Sequence, residues 1–244
     1  MRLINNIDTI RIPLNPHNNI YYFPENNNLI GKTINNIYVI QGNTQDPYTG
    51  LTILEPNNSY ITLHDTEDNI VLNQVELSFF LKNKDTLIEI NSLIDWQKSY
   101  IQVLNSDRTN KEIILFVTYN GVFAENIEYD NTETITIPAN YNGNFEDFIY
   151  SDMWGKLVRI DVLNRDTYPI WFDIKDKNGK NFGLVFSELF QDKIYSPRPG
   201  RWIMTQSILN PMTLNFFSPI WRESKIINNN NYPANIILYF KKWK

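Results

Sequence analysis

The side chains able to carry chemistry are few in this 244-residue chain, and their spacing selects none of the common reactions. Only His17 and His64 supply imidazoles, and the absence of cysteine excludes a thiolate nucleophile, a disulfide and a zinc–thiolate centre. A Ser-His-Asp arrangement would draw on His64 and Asp65, but adjacent residues of a strand point to opposite faces and cannot share a site. The run His64, Asp65, Glu67, Asp68 offers the carboxylate oxygens that a hard cation takes, although a solvated hairpin tip accounts for the same residues. Asp173-Ile174-Lys175-Asp176-Lys177-Asn178-Gly179 is only superficially like a calcium loop, because Lys175 and Lys177 interleave the acids and no Glu closes it. It reads as a hairpin turn. Carboxylate pairs such as Glu146 with Asp147, or Glu125 with Glu128, have the residue types of a glycosidase, but nothing singles out one pair among 27 acids. With nine glycines and no Gly-rich phosphate or dinucleotide loop, nucleotide chemistry has no support either. The expectation is a protein that is not an enzyme and holds neither cofactor nor metal.

Charge distribution says more. From Glu112 to Gly155 the charged residues are Glu112, Glu125, Glu128, Asp130, Glu133, Glu146, Asp147 and Asp152, with no Lys or Arg. From Lys193 onward the sign inverts, as Lys193, Arg198, Arg201, Arg222, Lys225, Lys241, Lys242 and Lys244 outweigh Glu223 and the adjoining Asp192. Opposite patches on one chain suit a head-to-tail contact that closes into a ring. The interface candidates are Glu125, Glu128, Asp130 and Glu133 on one side, with Arg198, Arg201, Lys241, Lys242, Trp243 and Lys244 on the other. Two ordinary solvated surfaces explain the same distribution. A net charge of −5 opposes a dedicated DNA binder. Six tryptophans and fourteen tyrosines fit a core, an interface or a face that stacks on sugars.

The elements that must position these residues are strands. Asparagine makes up about one residue in seven and alanine occurs three times, a bias that an AT-rich genome would produce in part. Scarce Ala with abundant Ile, Tyr, Phe, Thr and Val also removes the best helix former and supplies residues that fit a pleated surface. Ser59-Tyr60-Ile61-Thr62-Leu63-His64 alternates, with Ile61 and Leu63 on one face, and Asp65 to Asn69 turns the chain into Ile70–Leu72. Tyr168–Ile174 and Asn181–Phe186 flank the clearest hairpin, while Ala234–Phe240 is a continuous apolar strand. Residues 74–98 fit neither period, with Leu93–Lys98 read as a helical turn, and Asn120-Gly121 reads as a turn. About a dozen short strands predict a mostly-β fold of one or two antiparallel β-sandwich or jelly-roll-like units with minor helix. The expected division is an extended, proline-punctuated arm over 1–30, a β domain over 31–125, and a second β domain over 126–244 with a basic tail. Pro13 and Pro16 interrupt any signal-peptide apolar region, and no apolar run approaches the roughly 20 residues of a membrane helix, so cytosolic synthesis without membrane partners is expected.

Three segments carry a resemblance: Tyr21-Tyr22-Phe23-Pro24 followed by Leu29-Ile30-Gly31-Lys32-Thr33-Ile34, then Ser59-Tyr60-Ile61-Thr62-Leu63-His64-Asp65, then Ile94-Asp95-Trp96-Gln97-Lys98-Ser99-Tyr100-Ile101. In these the N-terminal half resembles β-rich virion structural proteins of crAss-like phages, the AT-rich podoviruses of gut Bacteroidetes. The resemblance implies a ring or adaptor subunit of the neck and tail below the portal. Such a subunit forms a homo-oligomeric, dodecameric ring stacked on other virion proteins around the DNA exit channel, with incidental contact to packaged DNA. A capsid auxiliary or head-fibre protein is the close alternative. No catalytic residues come with the resemblance.

Overall fold

Little in the chain favours an α-helix, and among the described residues the computed structural model contains strands and short 3-10 turns but no α-helix. It describes residues 2–40, 42–81, 88–124, 129–149, 155–162, 170–177, 181–186, 195–198, 201–203, 213–217 and 219–241. The chain divides into two compact units, one of Asn6–Gly121 and one of Met1–Asn5 with Val122–Lys244. The fold is mostly β, with several antiparallel sheets.

The first unit is built from β1 (Arg2–Pro13), β2 (Ile20–Tyr22), β3 (Thr33–Val39), β4 (Thr52–Ile53), β5 (Ser59–Asp65), β6 (Ile70–Glu76), β7 (Ser92–Val103) and β8 (Lys111–Ala124). The strands are ordered β6-β5-β7-β3-β8-β1, with β2 against β7 and the two-residue β4 parallel to β8. Alternation places Ile61 and Leu63 inward on β5 as expected, where they join Ile10, Ile34, Ile37, Trp96, Ile101, Val103, Leu115 and Val117 in one core. β8 departs from alternation: Glu112 through Thr118 are all buried, so both faces of this strand are covered.

The segment expected as an arm is built into this core. Ile10, Ile12, Tyr21, Phe23 and Leu29 are buried, Phe23 meets Trp96 edge-on at 5.1 Å, and the Tyr21 hydroxyl reaches the carbonyls of Asn15 and Asn18 at 2.6 and 2.7 Å. The prolines sit in or beside the connecting turns, so the apolar residues between them remain free to form a buried face.

Two local expectations are corrected. Leu93–Lys98 is strand, not a helical turn, and its period fails because β7 bulges there. The register with β5 slips between Thr62↔Tyr100 and His64↔Asp95. Asp95 Oδ1 accepts the Gln97 and Lys98 amides at 3.1 and 3.4 Å, the Ser99 hydroxyl donates to the Asp95 carbonyl at 2.7 Å, and both Gln97 and Lys98 turn outward. Asn120-Gly121 likewise does not end β8, which runs on to Ala124 with Asn120 at φ 47°.

The second unit holds β9 (Asn131–Ile137), β10 (Tyr141–Asn144), β11 (Lys156–Val162), β12 (Ile170–Lys175), β13 (Asn181–Phe186), β14 (Tyr195–Arg198), β15 (Arg201–Ile203), β16 (Thr213–Phe217), β17 (Lys225–Asn228) and β18 (Ala234–Lys241). One sheet runs β16-β11-β18-β9, with Ile4 and Asn5 of β1 parallel to β16; a second runs β10-β17-β12-β13; β14 and β15 form a ribbon. The hairpin expected around 176–180 joins β12 to β13, which pair antiparallel. β18 buries Ala234, Ile236, Leu238 and Phe240 in strict alternation. A run of rings, Phe172 to Phe145 at 6.0 Å, Phe145 to Trp221 at 5.4 Å and Trp221 to Phe240 at 6.1 Å, links the two sheets through 3-10 turns at Phe145–Phe148 and Trp221–Glu223. Trp171, Phe145, Phe172 and Phe240 are fully buried, each contributing about 2–3 kcal/mol of apolar transfer free energy.

The asparagines have a structural use. Asn43, Asn58, Asn91, Asn110, Asn120 and Asn140 all adopt positive φ, a conformation that Asn reaches at lower cost than most side chains, and they do the work that glycine does in glycine-richer chains. Asn228, fully buried, donates from Nδ2 toward the carbonyls of Pro138 at 2.9 Å and Tyr232 at 3.1 Å, and its Oδ1 accepts from the Asn230 amide at 3.1 Å and Asn230 Nδ2 at 2.7 Å. Asn228→Ala leaves these groups unanswered and is expected to lower the unfolding free energy by about 1–3 kcal/mol in urea titration. Gly42→Ala is expected to cost a similar ~1–3 kcal/mol in the same assay, because a Cβ there would lie 2.4 Å from the Glu55 amide nitrogen and 2.7 Å from the Leu54 carbonyl carbon, both backbone.

Candidate functional site

The residues first considered for catalysis do not converge. His17 is exposed, its backbone amide held by the Asn15 side chain. His64 heads the β5–β6 hairpin; its backbone amide is bonded to Ser99 Oγ at 3.0 Å, and its buried Nδ1 meets no carboxylate. The tip's acids are spent on the turn itself. Asp65 accepts the Glu67 and Asn69 amides at 2.9 and 2.8 Å, and Asp68 pairs with Lys98 at 2.8 Å. Hydrogen bonds from Asn69 hold the Asp65 carboxyl below its ordinary pKa, and Lys98 does the same for Asp68. The cation reading of this run gains no support. Glu146 and Asp147 are exposed on the Phe145–Phe148 turn, where the Tyr141 hydroxyl bonds Asp147. Burial, then the Asp147 bond, pushes the Tyr141 hydroxyl up to about 12. Asp173 is half-buried and Asp176 buried, on a segment whose tip lies outside the described residues. Among the described residues no group of three or more His, Asp or Glu could hold a metal ion, and no helix is long and apolar enough to cross a membrane.

The charged interface candidates are placed unevenly. Glu125, Glu128, Lys242, Trp243 and Lys244 lie outside the described residues. Arg198 and Arg201 stand opposite each other in the β14–β15 ribbon. Asp130 falls just before β9 and Glu133 within it, and Lys241 ends β18, the strand that β9 pairs with: the Asp130 amide donates to the Phe240 carbonyl at 2.8 Å. Acidic and basic residues expected to meet across molecules are thus neighbours within one sheet. Glu112, counted with the acidic surface, is fully buried and leaves it.

That burial exposes a group the sequence did not announce. Arg11 on β1 donates from Nε to Asp46 Oδ2 at 2.7 Å; Asp46 Oδ1 accepts the Tyr48 amide at 2.8 Å; Glu112 Oε1 accepts the Thr49 hydroxyl at 2.5 Å. Asp46 and Glu112 have 0% exposure, and the Arg11 guanidinium lies 5.3 Å from the Tyr48 ring centroid. Burial drives the Glu112 carboxyl up to about 7, opposed by the Thr49 bond and Arg11 and reinforced by Asp46. The available signal was that Glu112 heads a run covered on both faces, Ile113 to Thr118, and such a strand leaves an acid no route to water.

Two surfaces among the described residues bear on assembly. On the outer face of β2 and β7, Tyr22 is 63% exposed and meets Tyr100 edge-on at 6.0 Å, with Ile20 beside them and Tyr60 on neighbouring β5. The second is the free edge of β9. This strand ends its sheet and pairs with β18 over seven residues without a register shift. The Phe240 carbonyl faces β9, so Asn131, Glu133 and Ile135 bond to β18, while the backbone groups of Thr132, Thr134 and Thr136 turn to the free edge. Other edges are blunted: β6 by two register shifts and Gln74 at φ 49°, β13 by a shift, β10 and the ribbon by their length. Among the described strands, β9 is the edge without such a device, since it contains neither Pro nor Lys.

Removing the guanidinium from the buried group should unbalance it. Arg11→Met is expected to destabilise the protein by about 3–5 kcal/mol in urea unfolding at neutral pH, because it strands the Asp46 charge. Comparison with protein-family models, with curated proteins and with solved structures yields no match.

Proposed function

We propose that this chain is a structural subunit that works by assembling with copies of itself, an extended segment of one copy docking as an added strand on β9 of the next. The observation that carries the reading is the unblunted β9 edge: seven residues in unbroken register whose outer N–H and C=O groups have no protein partner among the described residues. Natural sheets protect such an edge unless a neighbour completes it. The face of exposed Tyr22 and Ile20, with half-buried Tyr100 beside them, adds apolar surface of the kind that interfaces use.

Within this reading the units are of β-sandwich type, and the resemblance of the N-terminal segments directs the role to a virion: a ring or adaptor subunit of a phage neck and tail. There copies of the chain, twelve to a ring, stack on other virion proteins around the DNA exit channel. A capsid auxiliary or fibre protein would use the same edge. No catalysis, cofactor or membrane partner enters this role. The contact does not rest on Asp130 or Lys241 meeting across molecules, since their strands already pair. A second reading, a carbohydrate-binding module, is favoured by one observation, the Tyr22–Tyr100 face with Tyr60 beside it.

The test compares native mass and negative-stain images of wild type with Thr134→Pro. Proline at 134 removes an outward N–H while leaving the bonds of Glu133 and Ile135 to β18. Wild type is expected to form closed oligomers, and the variant to stay monomeric with unchanged circular dichroism; Thr134→Val should assemble. Equal assembly of the proline variant contradicts strand addition at β9. A monomeric wild type retained on a glycan array would favour the second reading.

A further inference from the structure

Three charged side chains of the first unit, Arg11, Asp46 and Glu112, meet at one point. Two carboxylates, Asp46 and Glu112, are fully buried beside one guanidinium, Arg11, whose side chain is 17% exposed. Fully ionised, the set would carry one uncompensated negative charge, a costly state in a medium of low dielectric. Three of the four carboxylate oxygens accept hydrogen bonds, from Arg11, the Tyr48 amide and Thr49, and the fourth, Glu112 Oε2, has no donor. A single proton on Glu112 answers both facts: it cancels the excess charge and gives Oε2 a hydrogen to donate to Asp46.

Both acids also hold the segment 42–50. Asp46 is part of it, its amide bonded to the Leu51 carbonyl at 2.9 Å and its carbonyl to the Gly50 amide at 2.8 Å; Thr49 ties it to Glu112 on β8; Arg11 ties it to β1. The segment displays Tyr48, 75% exposed. We propose that a proton shared between Glu112 and Asp46 is the catch of a clasp that seats loop 42–50 on β1 and β8, and that the loop loosens when the proton leaves.

The charged and titratable groups facing Glu112 are accounted for. β1 contributes Arg11; the loop contributes Asp46 and Tyr48; β4 contributes none, and Glu55 beyond it accepts from Asn43 Nδ2 at 2.8 Å; on β8 itself Lys111 is paired with Asp107 at 2.8 Å. The direction follows from linkage. The folded carboxyl holds its proton to higher pH than the unfolded one, so the stabilisation is complete below the unfolded pKa and lost as pH rises through the folded value. The window therefore opens in the ordinary carboxyl range and closes near neutrality. Above it the loop is in its looser state.

The experiment is hydrogen exchange of the full chain at pH 5, 6, 7 and 8, corrected for intrinsic rates, read at the Tyr48 and Gly50 amides. In the wild type, protection should fall roughly tenfold per pH unit up to about neutrality and then level. In Glu112→Gln, whose amide donates to Asp46 without titrating, it should be flat. Flat protection in the wild type, or the same slope in Glu112→Gln, overturns the proposal. Carbon-13 carboxyl titration of glutamate-labelled wild type needs no variant to fold: one glutamate should titrate well above the rest, and uniform titration in the ordinary range also overturns it.

Discussion

A strand at the border of a sheet leaves half of its backbone polar groups without a partner, and how a β protein answers them decides whether it stays single or joins others. Most borders here carry an answer of their own: β6 is bulged, β13 slips register beside its turn, and β10 is four residues long. β9 carries none. Its inner face is anchored by Ile135 and Ile137, and it pairs with β18 over seven residues without a shift, so Thr132, Thr134 and Thr136 offer a regular ladder. A rigid open ladder gives a neighbour main-chain hydrogen bonds at little cost in ordering entropy, and the functional reading grows from that.

The same need to satisfy polar groups shapes the interior. With no α-helix among the described residues, the chain reverses direction many times with only nine glycines, and asparagine takes six of the left-handed positions. Asparagine also serves inside, where Asn228 joins the Pro138 and Tyr232 carbonyls to the Asn230 amide at one buried point. The bias toward Asn, whatever its genomic origin, is put to structural use. The Arg11, Asp46 and Glu112 group is the charged version of the same rule, in which a proton supplies what no side chain provides.

Alternation made much of the fold legible. Ser59 to His64 and the hairpin joining β12 to β13 follow from period and turn residues. Legibility failed where the backbone breaks its own period. The β7 bulge sets Gln97 and Lys98 side by side in solvent, which reads as neither strand nor helix, and Asn120 takes a positive φ within β8 without ending it. The N-terminal segment showed its prolines more plainly than its apolar face, so its place in the core was missed. The buried charges were illegible for a different reason. Arg11, Asp46 and Glu112 are far apart in the chain and meet only through the pairing of β1, β4 and β8, which no local pattern encodes. Charge segregation along the sequence likewise did not reveal that β9 and β18 are sheet neighbours.

Amide exchange along β9, followed in the isolated chain and again in the assembled particle, bears most directly on the claim that a neighbour completes this edge. The account requires Asn131, Glu133 and Ile135 to be protected in both states, and Thr132, Thr134 and Thr136 to pass from fast exchange to protection on assembly. An assembled particle in which those three threonine amides exchange as fast as in the isolated chain would contradict it.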